Sequence, residues 1–220
     1  MNFLYNSKYK NMLSVGISGG MGSGKTLVCT IFKVLGISIY NSDLEAKRIM
    51  ETNEQVKKEI ISLLGEESYL NNMTLNRKYI AEKIFNHTEL LTGINQIVHP
   101  AVREDAEIWS KKIPGDNSYF LRESAILFET GIYKQLNYNI LVIAPKELRL
   151  HRIKNRDRLS EEEIASRINQ QWSDEQKLPL ADFVIINDGK TFLIPQILKI
   201  HQSLKHFPLV PIDRQPDIIL

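Results

Sequence analysis

Hydrophobic and polar positions along the chain fall into two periods. Leu13–Ser18 (LSVGIS) is a short β-branched run that ends in a glycine cluster, and it reads as a buried strand. The stretch KTLVCTIFKVLG then places Leu27, Val28, Ile31, Phe32 and Leu35 at helical spacing, with Gly36 as C-cap. ISIY (Ile37–Tyr40) reads as a second strand, and SDLEAKRIM as a helix capped by Ser42 or Asp43. From about Thr52 to Pro114 the spacing is helical throughout, as in NRKYIAEKIF and LTGINQIVHPAVREDAEIWSKKI, which predicts an inserted or flanking helical subdomain. Strands resume with SYFLRESAIL and NYNILVIAP, and a basic helix, KELRLHRIKNR, follows. Ser160 with Glu163 three residues on marks a capping box for one more helix. DFVIIND predicts a last strand and KTFLIPQILKIHQSL a last helix, whose start Pro195 shifts or which it kinks. Strands separated by helices predict an α/β fold, a parallel sheet wrapped in helices with right-handed crossovers.

Bulk composition narrows the class without naming a function. The chain has 220 residues, of which 43% are hydrophobic and 25% charged, the balance of a soluble globular protein able to bury a sizeable core. A net charge of +2 implies no strong field for nucleic acid or a membrane surface. The single cysteine, Cys29, excludes an internal disulfide and a multi-cysteine zinc site, and fits a reducing cytoplasm. No apolar run is long enough to span a bilayer. The start, MNFLYNSKYKN, lacks the apolar core of a secretory signal, so residues 1–11 are expected to be an extension ahead of Met12. HFPLVPIDRQPDIIL, with three prolines, is expected to trail off as a tail.

Chemistry enters with GISGGMGSGKT. Gly19, Gly24, Lys25 and Thr26 match G-x-x-x-x-G-K-[ST] without a gap, after a predicted strand and at the start of a predicted helix. Gly20, Met21, Gly22 and Ser23 fill the loop between. Successive N–H groups of such a loop point at phosphate oxygens, helped by the positive end of the helix. Lys25 then reaches the β- and γ-phosphates of a nucleotide, and the Thr26 hydroxyl is placed for Mg²⁺.

A phosphate loop gives nucleotide binding and leaves the reaction open. The chain has no sensibly placed D-x-x-G and N-K-x-D pair for a signalling GTPase, and no clean Walker B strand for a motor ATPase. A small kinase needs fewer parts: the loop, an acid near the acceptor hydroxyl, and arginines around the transferred group. Asp43 follows the second strand at the ligand-binding edge of such a sheet, where it serves either as catalytic acid–base or as helix cap. Arg149, Arg152 and Arg156 share one face of the basic helix, with Arg158 at its end, and form either a phosphate clamp or a solvated face. His99 before Pro100 reads as a helix-end or packing residue.

Taken in order, GISGGMGSGKT, NSDLEAKRI, INQIVHPAVR, ESAILFETG, RIKNRDRLSEEEIASRINQQ and ADFVIINDG resemble the dephospho-CoA kinase family, from about Leu13 to Leu204. The resemblance implies a three-layer P-loop kinase fold in one domain over residues 12–206: a core of about 13–50, 118–147 and 180–206, a helical CoA-side subdomain of about 52–115, and a lid of about 148–178. It implies transfer of the γ-phosphate of ATP to the 3′-hydroxyl of dephospho-CoA with Mg²⁺, in the cytoplasm. The partners are then these two small molecules, with no nucleic acid and no membrane, and the chain acts as a monomer or weak homo-oligomer. By position, Asp43 matches the acid beside the acceptor hydroxyl and a second candidate Mg²⁺ ligand after Thr26. His99, Pro100, Arg103 and Glu129 match the acceptor side. Arg152, Arg156, Arg167 and Gln171 fall on the lid pattern, and Asn187 and Gly189 on the loop that packs the adenine. Two departures stand out: Asn41 replaces the first aspartate of a common aspartate–x–aspartate pair, and Glu123 and Ala125 replace the aspartate and proline of the segment before Glu129. Rival readings are a kinase for another small acceptor, such as a nucleoside or nucleotide, and a non-catalytic ATP-binding switch.

Overall fold

The structure, a computed structural model, describes residues 12–84, 87–114, 117–157, 164, 168 and 171–207. Arg158, Arg167, the Ser160–Glu163 box and both terminal segments, 1–11 and 208–220, lie outside them. The chain divides into two compact units, one running to Tyr40 and again from Ile113, the other Asn41–Lys112.

The first unit is a five-stranded parallel sheet of order β2-β3-β1-β4-β5 with helices on it. Its strands are β1 (Leu13–Ser18), β2 (Ile39–Asn41), β3 (Tyr119–Glu123), β4 (Tyr138–Ile143) and β5 (Phe183–Ile186). Ile17 of β1 sits opposite Glu123 of β3 and Ile140 of β4, so β1 is the central strand. From it the chain turns to β2 and β3 on one side, and later to β4 and β5 on the other. Such a reversal leaves a crevice at the C-terminal end of the strands, where ligands bind. β4 is buried at five of its six positions, the continuous pattern of a strand covered on both faces.

α1 (Lys25–Val34) and α8 (Leu193–His206) cover one face. Val28 and Phe32 of α1 and Ile197, Ile200 and Leu204 of α8 close over Val15, Ile17, Leu121, Ile140 and Ile185. Each such side chain contributes about 1.5–3 kcal/mol by leaving water. Pro195 is the third residue of α8, which starts at Leu193 and not at Lys190; a proline is tolerated in a first turn because its N–H would lack a partner there. Phe128, Leu141 and Ala181 pack on the opposite face. α6 (Lys146–Asp157) is the basic helix, with Ile153 buried beneath it, and α7 is a single turn, Asp174–Lys177.

The second unit holds α2 (Ser42–Thr52), α3 (Glu54–Leu64), α4 (Arg77–Ile84) and α5 (Thr88–Ser110). It starts earlier than the sequence pattern placed it, because α2 belongs with α5: Arg48 pairs with Asp105 at 2.6 Å. Two local expectations are corrected here. Neither Ser42 nor Asp43 caps α2; Asn41 does, with extended backbone and its Oδ1 accepting from Leu44 N–H at 2.8 Å. His99–Pro100 does not end a helix either, since α5 runs on to Ser110 and buries Val98, Val102 and Ala106 on either side of the proline.

Candidate active site

β1 ends at Ser18 and the glycine loop carries the chain into α1 at Lys25. Gly24 is the N-cap of α1 with φ 90°, a left-handed conformation that L side chains rarely adopt. The loop and first turn, Gly19–Leu27, wall a cavity of about 520 Å³, the size of a small-ligand site. Ala125, Ile126, Arg152, Ile153, Arg156 and Gln171 complete the lining. Thr26 is exposed on this wall, and Arg156 is exposed at its edge.

Lys25 Nζ lies 2.9 Å from Glu123 Oε1, and Glu123, at the end of β3, is 6% exposed. The ion pair holds the lysine at the mouth of the loop. Beneath it sits Cys29, whose thiol burial pushes up to about 12, with Glu123 adding to the effect. A thiol so placed is inert packing.

Asn187 and Arg152 brace the loop from behind. Asn187 is 5% exposed and donates from Nδ2 to Ser23 C=O at 2.7 Å. Arg152 donates from NH1 to Gly22 and Ser23 C=O at 3.3 and 3.4 Å, and from NH2 to Asn187 Oδ1 at 3.2 Å. A side chain on Gly24 would place its Cβ 2.0 Å from Asn187 Nδ2, so the glycine is required by contact as well as by conformation. Gly189 turns the chain two residues later at φ 79°, and neither it nor Asn187 lines the cavity.

Glu129 is likewise absent from the cavity wall. Its Oε1 accepts Trp172 N–H at 2.8 Å and pairs at 2.9 Å with Lys177 Nζ, which is fully buried. That ion pair has poor hydrogen-bond geometry: Lys177 Nζ, Glu129 Oε2 and Asp174 Oδ1 are all buried without a hydrogen-bond partner among the described residues. Burial lifts the Asp174 carboxyl above its usual range, with Arg149 and Lys177 acting the other way. Asp43 sits in the first turn of α2, and His99, Pro100 and Arg103 lie midway along α5, so these four belong to the helical unit. His99 and Arg103, four residues apart, share one face of α5.

Of the residues expected at the site, Lys25, Thr26, Arg152, Arg156 and Gln171 line one cavity. The structure adds Glu123, Ala125 and Ile126, and an α7 capped by Ser173, whose Oγ accepts Gln176 N–H while Gln176 Oε1 accepts Ser173 N–H. The S-x-x-Q signature of that cap is legible in SDEQ. Among the described residues no helix is long and apolar enough to cross a membrane.

A family model described as dephospho-CoA kinase matches residues 13–192. A dephospho-CoA kinase of Bacteroides fragilis is 40% identical over 86% of this chain and 91% of its own length. One from Porphyromonas gingivalis is 35% identical over 92% of this chain and the whole of its own. Among solved structures, a dephospho-CoA kinase from Campylobacter jejuni superposes with a TM-score of 0.62 at 28% identity, covering 87% of this chain and 96% of that one. A shikimate kinase from Acinetobacter baumannii, 17% identical with a TM-score of 0.52 over 89% of this chain and 94% of its own, shares the fold alone. This chain belongs to the dephospho-CoA kinase family.

Proposed function

We propose that this chain transfers the γ-phosphoryl group of ATP to the ribose 3′-hydroxyl of dephospho-CoA, giving CoA. The observation that carries the donor half is the loop itself: Gly19–Gly24, Lys25 and Thr26 line one cavity together with Arg152 and Arg156. The acceptor half rests on family membership across residues 13–192.

In this reading Lys25 exchanges Glu123 for the β- and γ-phosphate oxygens, a short move because the ion pair already holds its ammonium at the loop. Arg156 neutralises charge on the group in transit, where a guanidinium fork matches phosphate oxygens. Asp43 accepts the proton of the attacking hydroxyl. His99 and Arg103, on one face of α5, hold the acceptor. For magnesium, Thr26 offers a hydroxyl on the cavity wall, with Asp43 carried from the family resemblance as the second candidate, and such an ion takes most of its ligands from phosphate and water. Bound there, it would neutralise developing phosphate charge. The reading places this reaction in the cytoplasm, where ATP is at hand.

The test is a coupled ADP-release assay with dephospho-CoA beside a panel of nucleosides and nucleotides. Turnover is expected with dephospho-CoA, and its absence sinks the assignment. Asp43→Asn is expected to lower kcat at least about a hundredfold, the usual worth of a positioned base, with ATP affinity within about threefold. Wild-type turnover by that variant removes Asp43 from the mechanism.

A further inference from the structure

The loop tip is held by two side chains distant in sequence, Gln171 on the cavity wall and Arg149 outside it. Met21 N–H donates to Gln171 Oε1 at 2.9 Å, and Met21 C=O accepts from Arg149 Nε at 2.9 Å. Both polar groups of the Met21 residue are thereby committed to side chains, not to phosphate. Gln171 in turn donates from Nε2 to Ala125 C=O at 3.1 Å, and Arg149 NH1 lies 3.3 Å from Asp174 Oδ2. Arg149 and Asp174 are largely buried, with side chains 14% and 18% exposed.

The glycines of the tip record the same contact. Gly20 and Gly22 occupy positions that the phosphate-loop pattern leaves open. A Cβ on Gly20 would lie 2.2 Å from Arg149 NH2, and one on Gly22 would lie 2.7 Å from the Arg149 backbone oxygen. The tip is folded around residue 149, which does not line the cavity.

We infer that Arg149 and Gln171 are positioning residues that set the phosphate loop through Met21, and that the Gln171–Asp174 segment thereby tunes its grip on the triphosphate. The sequence expectation grouped Arg149 with Arg152 and Arg156 as a candidate phosphate clamp. The geometry instead turns Arg149 onto the loop's backbone, leaving Arg152 and Arg156 as the arginines of that helix that line the cavity. Lysine in place of Arg149 keeps the charge but cannot reach Met21 C=O and Asp174 with a rigid fork. The inference rests on the kinase reading only for ATP binding.

The experiment compares the full-length wild type with Arg149→Lys and Gln171→Ala. The dissociation constant for a non-hydrolysable ATP analogue with Mg²⁺ is measured by calorimetry, and KM and kcat by ADP release. Each variant is expected to weaken analogue binding and raise KM for ATP about tenfold, the worth of about one lost hydrogen bond, with kcat within about threefold and KM for dephospho-CoA unchanged. A kcat loss of a hundredfold or more at unchanged analogue affinity makes Arg149 a clamp on the transferred group and overturns the inference. Unchanged analogue binding in both variants overturns it too. If Arg149→Lys does not fold, Gln171→Ala, which alters no charge, decides alone. Wild type that binds the analogue without phosphorylating dephospho-CoA refutes the proposed function and leaves this comparison intact.

Discussion

Replacing Lys177 by methionine tests the buried charges beside the loop most directly. Lys177 is fully buried and Glu129 is 12% exposed, so neither charge is solvated by bulk water. Methionine keeps the length and apolar stem of the lysine but removes the ammonium. Among the described residues Glu129 is then left with one hydrogen bond, from Trp172 N–H, and an Oε2 that already lacks a partner. Breaking a buried pair from one side costs about 3–5 kcal/mol, because the surviving charge is uncompensated. In a chain of this length that corresponds to a melting temperature lower by roughly 6–20 °C. Removing both charges is a different perturbation. Lys177→Met with Glu129→Gln keeps an acceptor for Trp172 N–H and leaves neither member of the pair as an uncompensated charge, while Asp174 keeps Arg149, so its stability is expected within about 1.5 kcal/mol of wild type.

The assay is equilibrium urea denaturation of the four proteins of the double-mutant cycle, followed by circular dichroism and tryptophan fluorescence. A coupling energy of at least about 2 kcal/mol is expected. A cost below about 1 kcal/mol for Lys177→Met, or a double variant no more stable than the worse single one, would refute the reasoning. Glu129 would then be free of the structural task assigned to it, and its expected place on the acceptor side would regain weight.

Three further outcomes follow from single contacts. Cys29, its thiol pushed up to about 12, is expected to resist a neutral-pH thiol reagent in the native protein and to react at once in denaturant; fast native labelling would contradict its burial. Tyr119 OH and His201 Nδ1 lie 2.7 Å apart, and burial, with Lys205 adding, holds His201 below the usual histidine range. Its contribution is therefore present above the ordinary histidine pKa and lost as pH falls through the lower folded value; a stability–pH curve should show this fall and His201→Gln should flatten it. Asn41→Ala is expected to cost about 0.5–2 kcal/mol through loss of the α2 cap, measured by thermal melting, whereas Asp43→Ala leaves that cap in place.

The parts of the fold legible in the sequence are those written locally. Strands of continuous Val, Ile and Leu, and the contiguous run from Gly19 to Thr26, carry their own spacing, so β1, the loop and α1 could be read directly. Asn41, Ser42 and Asp43 all have side chains able to cap a helix, and only the extended backbone at Asn41 decides among them. The local rule for Pro100 failed because packing of Val98, Val102 and Ala106 outweighs one missing hydrogen bond. The brace on Met21 joins residues 128 and 150 positions apart, a separation at which a single chain offers no period to read.

That long-range contact also divides the glycines of the loop by cause, and the division can be tested by genetics of one pair. Gly20 lacks a positive φ, so alanine there meets only the Arg149 guanidinium, the movable end of a side chain. Gly20→Ala is thus expected to push Arg149 off Met21 and weaken binding of the ATP analogue about tenfold, as loss of that hydrogen bond does. In an Arg149→Ala background the same change should add nothing, since the obstacle is gone. Gly22 differs: φ is 80°, and its Cβ would strike the backbone of residue 149, which no side-chain deletion removes. Gly22→Ala should remain damaging in both backgrounds, by about 1–2 kcal/mol from conformation alone. If Gly20→Ala stays equally harmful after Arg149 is truncated, Gly20 serves the phosphate and not its neighbour, and the brace is not what shapes the loop.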